Sequence, residues 1–205
     1  MLTIKQLELL EIWLNHPFQE LSIAEIMHQS RRQTKTWVFN TLQRLTGLNL
    51  LTFTKKSNIN LYKLNFDYPL ALQVLHFLEV KSCLSFPQME PIAEILKKAP
   101  ITNFSLLVFG SYAESKQTKN SDLDLCFIVE NKEGEKDIKP YLNEIKLNYP
   151  LSIDDHYITF NDFVAMLLNE EENLGKQIFR KHKLLYNADI YYKLIYKAYK
   201  HGFRP

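Results

Sequence analysis

The segment spanning residues 108–130 constrains the fold of this chain more than any other stretch of its sequence. It reads VFGSYAESKQTKNSDLDLCFIVE, so an apolar run ends at Gly110 and Ser111, where we expect a helix to begin. A strand that ends in Gly-Ser before a helix forms a tight turn whose backbone N–H groups can face an anion. Glycine permits close approach of the backbone, and the serine hydroxyl can donate to a phosphoryl oxygen. The pattern predicts a phosphate-binding turn at these two residues.

Two aspartates lie at the start of the next apolar run. Asp122 and Asp124 are separated by one residue, and because side chains alternate along a strand they project from the same face. Two carboxylates held close together repel one another and raise each other's pKa unless a cation lies between them. Hard oxygen ligands of this kind suit magnesium, which takes the rest of its shell from water and substrate phosphates. The spacing predicts a magnesium site beside the phosphate-binding turn.

Apolar run lengths and cysteine usage argue against a membrane-spanning protein and against a disulfide-rich exported protein. Hydrophobic residues make up 46% of the 205 residues and aromatic residues 13%, which is enough for a packed core. The longest apolar runs fall far short of the roughly 20 residues that span a bilayer, and the first residues do not resemble a signal peptide. Cys83 and Cys126 lack the spacing of a disulfide framework or a zinc site, which favours a reducing compartment. We expect a cytoplasmic protein with no membrane partner.

Three helices and a hairpin are predicted in the first third of the chain. Helical spacing of apolar residues occurs in residues 3–15, 23–29 and 31–47. In the third segment the residues spaced for burial are Val38, Phe39, Leu42 and Leu45. Two alternating apolar runs around a polar turn then indicate a hairpin. This order predicts a winged helix-turn-helix domain over residues 1–67. Residues 1–66 also carry eight Lys or Arg against four Asp or Glu, an excess that is typical of nucleic-acid binding.

The third helix and the wing supply the candidate contacts to double-stranded DNA. At the N-terminal end of the helix and on the wing, the side chains expected to reach the major groove or phosphates are Arg31, Arg32, Gln33, Lys35, Lys55 and Lys56. The alternative is a winged helix used for packing or dimerisation, with these charges solvated. A homodimer would strengthen DNA binding, so a second copy of the chain is a further candidate partner.

A second domain follows a helical connector. Residues 68–100 have helical periodicity broken by prolines, and residues 101–205 contain three apolar runs, FSLLVFG, LDLCFIVE and LSIDDHYIT. These runs predict neighbouring strands of a mixed sheet flanked by helices, followed by a tail that is helical in two or three pieces. The predicted fold class is therefore α+β, with a winged helix-turn-helix first and a sheet domain second.

Gly110-Ser111, ten intervening residues and Asp122-Leu123-Asp124 together resemble the signature of the DNA polymerase beta-like nucleotidyltransferases, in particular the minimal nucleotidyltransferases. The resemblance covers roughly residues 90–165 and extends to relatives with an N-terminal winged helix. It implies a third carboxylate from a later strand. We assign Asp154, which shares a face with His156 and precedes a helix start at Thr159, and Asp155 is the alternative.

The resemblance implies transfer of a nucleoside monophosphate to a hydroxyl acceptor. We expect AMP from ATP, and another nucleoside triphosphate is the alternative substrate. Asp122, Asp124 and Asp154 would hold two magnesium ions, and Gly110 and Ser111 would bind the phosphates. Some minimal nucleotidyltransferases act as antitoxins that modify a tyrosine of a HEPN-domain toxin, so such a toxin is a candidate partner. The alternative function is a DNA-binding transcriptional regulator whose nucleotidyltransferase domain senses nucleotide or is inactive.

The sequence departs from the family pattern directly after GSYA. Many relatives have Arg-Gly there, whereas this chain has Glu114-Ser115, which places a negative charge near the expected triphosphate. Lys116 and Lys119 lie close enough in sequence to compensate. His156 either touches nucleotide or metal or is a hydrogen-bonded structural histidine. The basic tail residues either contact phosphates or form a solvated helix face, and they are Lys176, Arg180, Lys181 and Lys183.

Overall fold

Residues 2–30, 34–119 and 121–205 are described by the computed structural model of this chain. The chain divides into two units, one reaching to Leu78 and the other comprising Glu79–Arg204. The division falls inside helix α4 (Pro69–Cys83), and α5 (Met89–Lys98) follows, so the predicted connector is mostly helical. Within the described residues, no helix is both long and apolar enough to cross a bilayer.

The first unit contains short helices and a small antiparallel sheet. Its elements before α4 are α1 (Ile4–Leu7), a 3₁₀ helix (Glu8–Trp13), β1 (Leu21–Ser22), α2 (Ile23–Ser30), α3 (Lys35–Gly47), β2 (Leu51–Lys56) and β3 (Ile59–Leu64). The strand order is β1-β3-β2, and β2 and β3 form the predicted hairpin. The single helix predicted over residues 3–15 is instead a turn of α-helix that tightens into a 3₁₀ helix.

Capping side chains explain where the helices of this unit begin. Ser22 accepts from the backbone N–H of Glu25, whose carboxylate in turn accepts from the Ser22 N–H, so α2 starts with a capping box. Thr34 accepts from the Trp37 N–H at the start of α3. The predicted start of this helix, at Arg31, Arg32 and Gln33, lies outside the described residues. The prediction that Phe39 is buried was wrong, because its side chain is 41% exposed.

Phe39 is exposed because of its position around the axis of α3. Val38, Leu42 and Leu45 are spaced by four and three residues, so they form one stripe, and all three are fully buried. Phe39 follows Val38 by one residue and is therefore rotated by about 100° away from that stripe.

The second unit is built on a four-stranded mixed sheet. Its strands are β4 (Phe104–Val108), β5 (Leu123–Val129), β6 (Ile153–Thr159) and β7 (Lys183–Tyr186), in the order β6-β5-β4-β7. Strand β5 runs parallel to β6 and antiparallel to β4, and β4 also pairs antiparallel with β7. The remaining helices are α6 (Gly110–Ala113), α7 (Lys132–Asn148), α8 (Phe160–Leu168), α9 (Leu174–Arg180) and α10 (Ala188–Lys200).

Alternation along the strands divides this sheet into two faces. Leu125 and Phe127 of β5 pack in one core with Ile138 and Leu142 of α7, and residues of α5 join the same cluster. The opposite face is contacted by α8 and α10. Asp124 belongs to the second face, because it is one residue away from Leu125.

The helical tail predicted after residue 160 is interrupted by strand β7, which was not predicted. Its sequence is Lys-Leu-Leu-Tyr, and Leu184 and Leu185 are buried against the edge of the sheet. Four residues between two helical segments carry too little periodicity to identify a strand. Pairing with β4 stabilises it here, and that pairing joins residues 75–80 positions apart in the chain.

Candidate active site

The turn after β4 brings Gly110 against a carboxylate. Gly110 has a φ of +65°, in the left-handed region that favours glycine. A Cβ at this position would overlap Oδ2 of Asp124 and lie 3.0 Å from its Cγ. The Phe109 N–H also donates to the Asp124 carbonyl over 3.1 Å. Only glycine fits here, and the reason is the closeness of the turn to Asp124.

Helix α6 begins at Gly110, with Ser111 as its second residue. The first amides of a helix have no partner inside the helix, and Phe109 places no capping side chain over them. The Glu114 N–H donates to the Gly110 carbonyl, and the Lys116 N–H donates to the Ser111 carbonyl over 2.9 Å. The carbonyls of the two residues of the turn are thus tied to the following loop. The N–H groups at the start of a helix are the kind of donor that binds an anion.

Strands β5 and β6 place two carboxylates side by side. Asp124 and Asp154 are paired positions in the parallel register of these strands, so both side chains project from the same face. Burial raises the pKa of the Asp124 carboxyl, and the negative charges of Asp154 and Asp122 raise it further, while His156 opposes this. All three predicted carboxylates therefore lie near enough to interact, with Asp122 exposed just before β5.

Asp155, the alternative to Asp154, lies on the other face of the sheet. It pairs in register with Leu125, whose side chain belongs to the core under α7. Its carboxylate forms an ion pair with Lys146 of α7, and its side chain is only 11% exposed. Asp155 thus has a partner of its own and does not share the face of Asp124.

His156 shares that face and is hydrogen-bonded within the site. Its Nε2 lies 3.1 Å from Oδ2 of Asp154, and its ring meets the ring of Phe109 edge-on at 5.3 Å between centroids. The two rings lie on β6 and just beyond β4, which flank Asp124 on either side. His156 therefore has a hydrogen-bond partner, as expected for a structural histidine, and it lies beside the carboxylates.

Lysines from two parts of the chain meet at Glu114, directly after α6. The Nζ atoms of Lys116 and Lys181 lie 2.6 Å and 2.9 Å from the two oxygens of the Glu114 carboxylate. These lysines lower the pKa of Glu114. Ser115, where many relatives have glycine, has a φ of +57°. Lys181 follows α9, and no local sequence signal indicates that it meets a residue 67 positions earlier.

The chemistry of this donor set fits magnesium. The described residues contain no group of three or more His, Cys, Asp or Glu arranged to hold a metal ion. Carboxylate oxygens are nevertheless the ligands that magnesium prefers, and it completes its shell with water and phosphate. Burial and the repulsion from Asp154 raise the pKa of Asp124, and a divalent cation would relieve that repulsion. Asp124 and Asp154 are the pair best placed to hold such a cation.

The residues predicted to contact DNA are only partly described. Lys35 is the first residue of α3, and Lys55 and Lys56 end β2. Lys56 forms an ion pair with Glu20 at 3.3 Å, and Lys63 of β3 binds the other oxygen of the same carboxylate. Part of the positive charge on the hairpin is thus compensated within the first unit.

Comparisons with known proteins bear on the second unit. Residues 90–191 match the family model described as "Polymerase beta, Nucleotidyltransferase". A solved structure titled "Crystal structure of the toxin-antitoxin with AMP-PNP" is similar at 16% sequence identity, with a TM-score of 0.37 over 56% of this chain and 88% of that chain. No curated protein sequence matches the chain.

Proposed function

Since residues 90–191 belong to the polymerase beta nucleotidyltransferase family, we propose that this protein transfers AMP from ATP, with magnesium, to a hydroxyl group of an acceptor. Family membership supports nucleotidyl transfer in general. The observation that carries the further proposal is the position of Asp124, which lies against Gly110 of the turn and beside Asp154 of the next strand. A phosphate-binding turn and a carboxylate pair on one sheet face are the two parts that this chemistry requires.

In this proposal the turn binds the phosphates. The N–H groups at the start of α6 and the hydroxyl of Ser111 donate to phosphoryl oxygens and stabilise the charge on the departing pyrophosphate. Asp122, Asp124 and Asp154 would hold the two magnesium ions. When bound, these ions neutralise phosphate charge and lower the pKa of the acceptor hydroxyl.

The transfer itself is a single in-line displacement. The acceptor oxygen forms a bond to the α phosphorus of ATP as the bond to the bridging oxygen of the β phosphate breaks. Pyrophosphate takes the electron pair of the broken bond, and the hydroxyl proton passes to Asp154, whose side chain is 59% exposed. No covalent enzyme intermediate is required, and the products are the adenylylated acceptor and pyrophosphate.

The acceptor we propose is a tyrosine of a HEPN-type toxin protein. The support is the resemblance of the Gly-Ser turn and the Asp-x-Asp strand to minimal nucleotidyltransferases that act as antitoxins. The experiment is incubation with ATP labelled at the α phosphate and magnesium, with and without the product of an adjacent gene. We expect label on the partner protein and loss of transfer in Asp124→Ala.

A matched control is Asp137→Ala, which removes an exposed carboxylate from α7, on the other face of the sheet. Asp137→Ala should transfer label as the unchanged chain does. Transfer that survives in Asp124→Ala would contradict the proposed site. Label on RNA or a small molecule rather than on protein would support nucleotidyl transfer but contradict the proposed tyrosine acceptor.

We also propose that the first unit is a winged helix-turn-helix that binds double-stranded DNA. The supporting observation is the hairpin of β2 and β3 directly after α3, with Lys55 and Lys56 at the end of β2. In a fluorescence anisotropy titration with DNA from upstream of its own gene, Lys55→Glu should weaken binding several-fold. Lys136→Glu on α7 is the control for net charge. Equal weakening by both variants, or no binding by the unchanged chain, would favour a packing role.

A further inference from the structure

The Glu114 cluster, formed by Glu114, Lys116 and Lys181, joins two exposed ion pairs of the second unit. One carboxylate binds two ammonium groups, one on each oxygen, at 2.6 Å and 2.9 Å. Lys116 is two residues from Glu114, whereas Lys181 arrives from the end of α9. A carboxylate that draws two like charges together creates a local concentration of positive charge on the surface.

The cluster is attached to the phosphate-binding turn by the backbone. The Glu114 N–H donates to the Gly110 carbonyl over 3.2 Å, and the Lys116 N–H donates to the Ser111 carbonyl over 2.9 Å. Glu114 is also the residue that directly follows α6. These hydrogen bonds hold Glu114, which binds both ammonium groups, next to the proposed phosphate-binding turn.

The three side chains differ in their exposure. Lys116 and Lys181 have side chains that are 73% and 61% exposed, whereas that of Glu114 is 26% exposed. The two ammonium groups can turn toward a ligand in solvent, while the carboxylate stays close to the protein surface. Exposed lysine–carboxylate pairs are weak, so an anion with several charges can displace the carboxylate from both lysines.

We propose that Lys116 and Lys181 bind the β and γ phosphates of the nucleotide, and that Glu114 is an internal competitor that holds both lysines in the nucleotide-free protein. The proposal rests on the proposed function, because it names groups for the same nucleotide. On binding, each lysine exchanges a carboxylate oxygen for a phosphate oxygen. Glu114 then faces the triphosphate as a like charge, which weakens binding and favours release of pyrophosphate.

The test is calorimetric titration of the full chain with inorganic triphosphate in magnesium chloride. Glu114→Gln removes the competing charge while keeping the shape, and we expect triphosphate to bind about 3- to 10-fold more tightly. Lys116→Ala and Lys181→Ala should each weaken binding by about the same factor. All three effects should shrink in high salt, because exposed charges are screened.

The matched controls are Glu135→Gln and Lys139→Ala. Glu135 and Lys139 form an exposed ion pair within α7, which packs on the other face of the sheet. Both controls change net charge as the test variants do, and both should bind triphosphate as the unchanged chain does. Thermal melts followed by circular dichroism establish that each variant is folded, and Lys181→Gln replaces Lys181→Ala if the latter is not.

The outcomes separate this inference from the proposed function. If Glu114→Gln strengthens triphosphate binding no more than Glu135→Gln does, Glu114 is not a competitor for the lysines. Unchanged binding in Lys181→Ala would overturn the phosphate contact, even if labelled ATP is still transferred. The expected pattern of binding, found in a chain that transfers no label to any acceptor, would support this inference and contradict the proposed reaction.

Discussion

Asp124 on β5 and Asp154 on β6 occupy paired positions of two parallel strands, and both face away from the core under α7. Each carboxylate comes from its own strand, so their proximity depends on the register between the strands rather than on local sequence. A shift of one residue would bring Asp155 to this face and send Asp154 into the core. The candidate site is therefore a property of the sheet as a whole.

Adjacent substitutions in β6 should have opposite effects. Asp154→Asn should lower the rate of transfer by about 100-fold or more, because a carboxylate beside the reacting groups is lost, with little change in stability. Asp155→Asn breaks the ion pair with Lys146 and should lower the free energy of unfolding by about 1–3 kcal/mol. Urea unfolding and labelled-ATP assays of both variants provide the measurement. If Asp155→Asn lost transfer and Asp154→Asn lost stability instead, Asp155 would be the site residue.

Asp124→Asn should stabilise the protein in the absence of divalent ions. Burial, followed by the charges of Asp154 and Asp122, raises the folded-state pKa of Asp124, so its ionised form destabilises the fold at neutral pH. Like charges on neighbouring strands contribute roughly 0.2–1 kcal/mol to this effect. The sign follows from linkage: as pH falls through the raised pKa, the unchanged chain takes up the proton and the advantage of the variant disappears. Thermal melts at several pH values measure this difference.

Magnesium should make the unchanged chain more stable than Asp124→Asn, which reverses their order of stability. A cation that binds Asp124 stabilises the folded state of the unchanged chain by mass action, whereas Asp124→Asn offers a weaker ligand. Added magnesium chloride is therefore expected to raise the melting temperature of the unchanged chain more than that of the variant. Equal shifts for both would show that Asp124 is not a ligand, and sodium chloride at equal ionic strength serves as the control.

Local patterns predicted the parts of the site that depend on neighbouring residues. Gly110, Ser111 and Asp124 follow from an apolar run that ends in glycine and from the period of two along a strand, and the family resemblance is confirmed over residues 90–191. The choice between Asp154 and Asp155 remained open, because alternation shows that they face opposite sides without showing which side holds Asp124. That requires the strand order and register, which are set by non-local pairing.

The same limit explains what the sequence did not reveal. Strand β7 is too short to have a period of its own and exists because it pairs with β4. The contact between Glu114 and Lys181 joins residues 67 positions apart, and each looks like an ordinary surface charge in the sequence. Burial of Glu79 inside an otherwise apolar helix segment is a third case, since its partner Tyr192 lies 113 positions away.

Gly110→Ala should damage both stability and activity. Placing alanine in the left-handed region costs about 1–2 kcal/mol, and its methyl group would also displace the Asp124 carboxylate. Gly202→Ala is the matched control, because Gly202 has a φ of +112° but no atom within 4 Å of an added Cβ. Both variants should lose stability in urea unfolding, and only Gly110→Ala should lose transfer. Loss of transfer in neither variant would mean that Asp124 tolerates displacement.

Glu79→Gln should stabilise the protein above neutral pH. Burial raises the pKa of Glu79 to about 7, although the hydroxyl of Tyr192 donates to its carboxylate over 2.6 Å. Between the usual pKa near 4.5 and about 7, the folded state holds a proton that the unfolded state releases, so stability falls as pH rises through this range. At pH 8 the variant should be more stable by roughly 3 kcal/mol, because it keeps an acceptor for Tyr192 without the buried charge. Urea unfolding at pH 5 and pH 8 measures the effect, and a difference between variant and unchanged chain that is the same at both pH values would show that Glu79 does not titrate in this range.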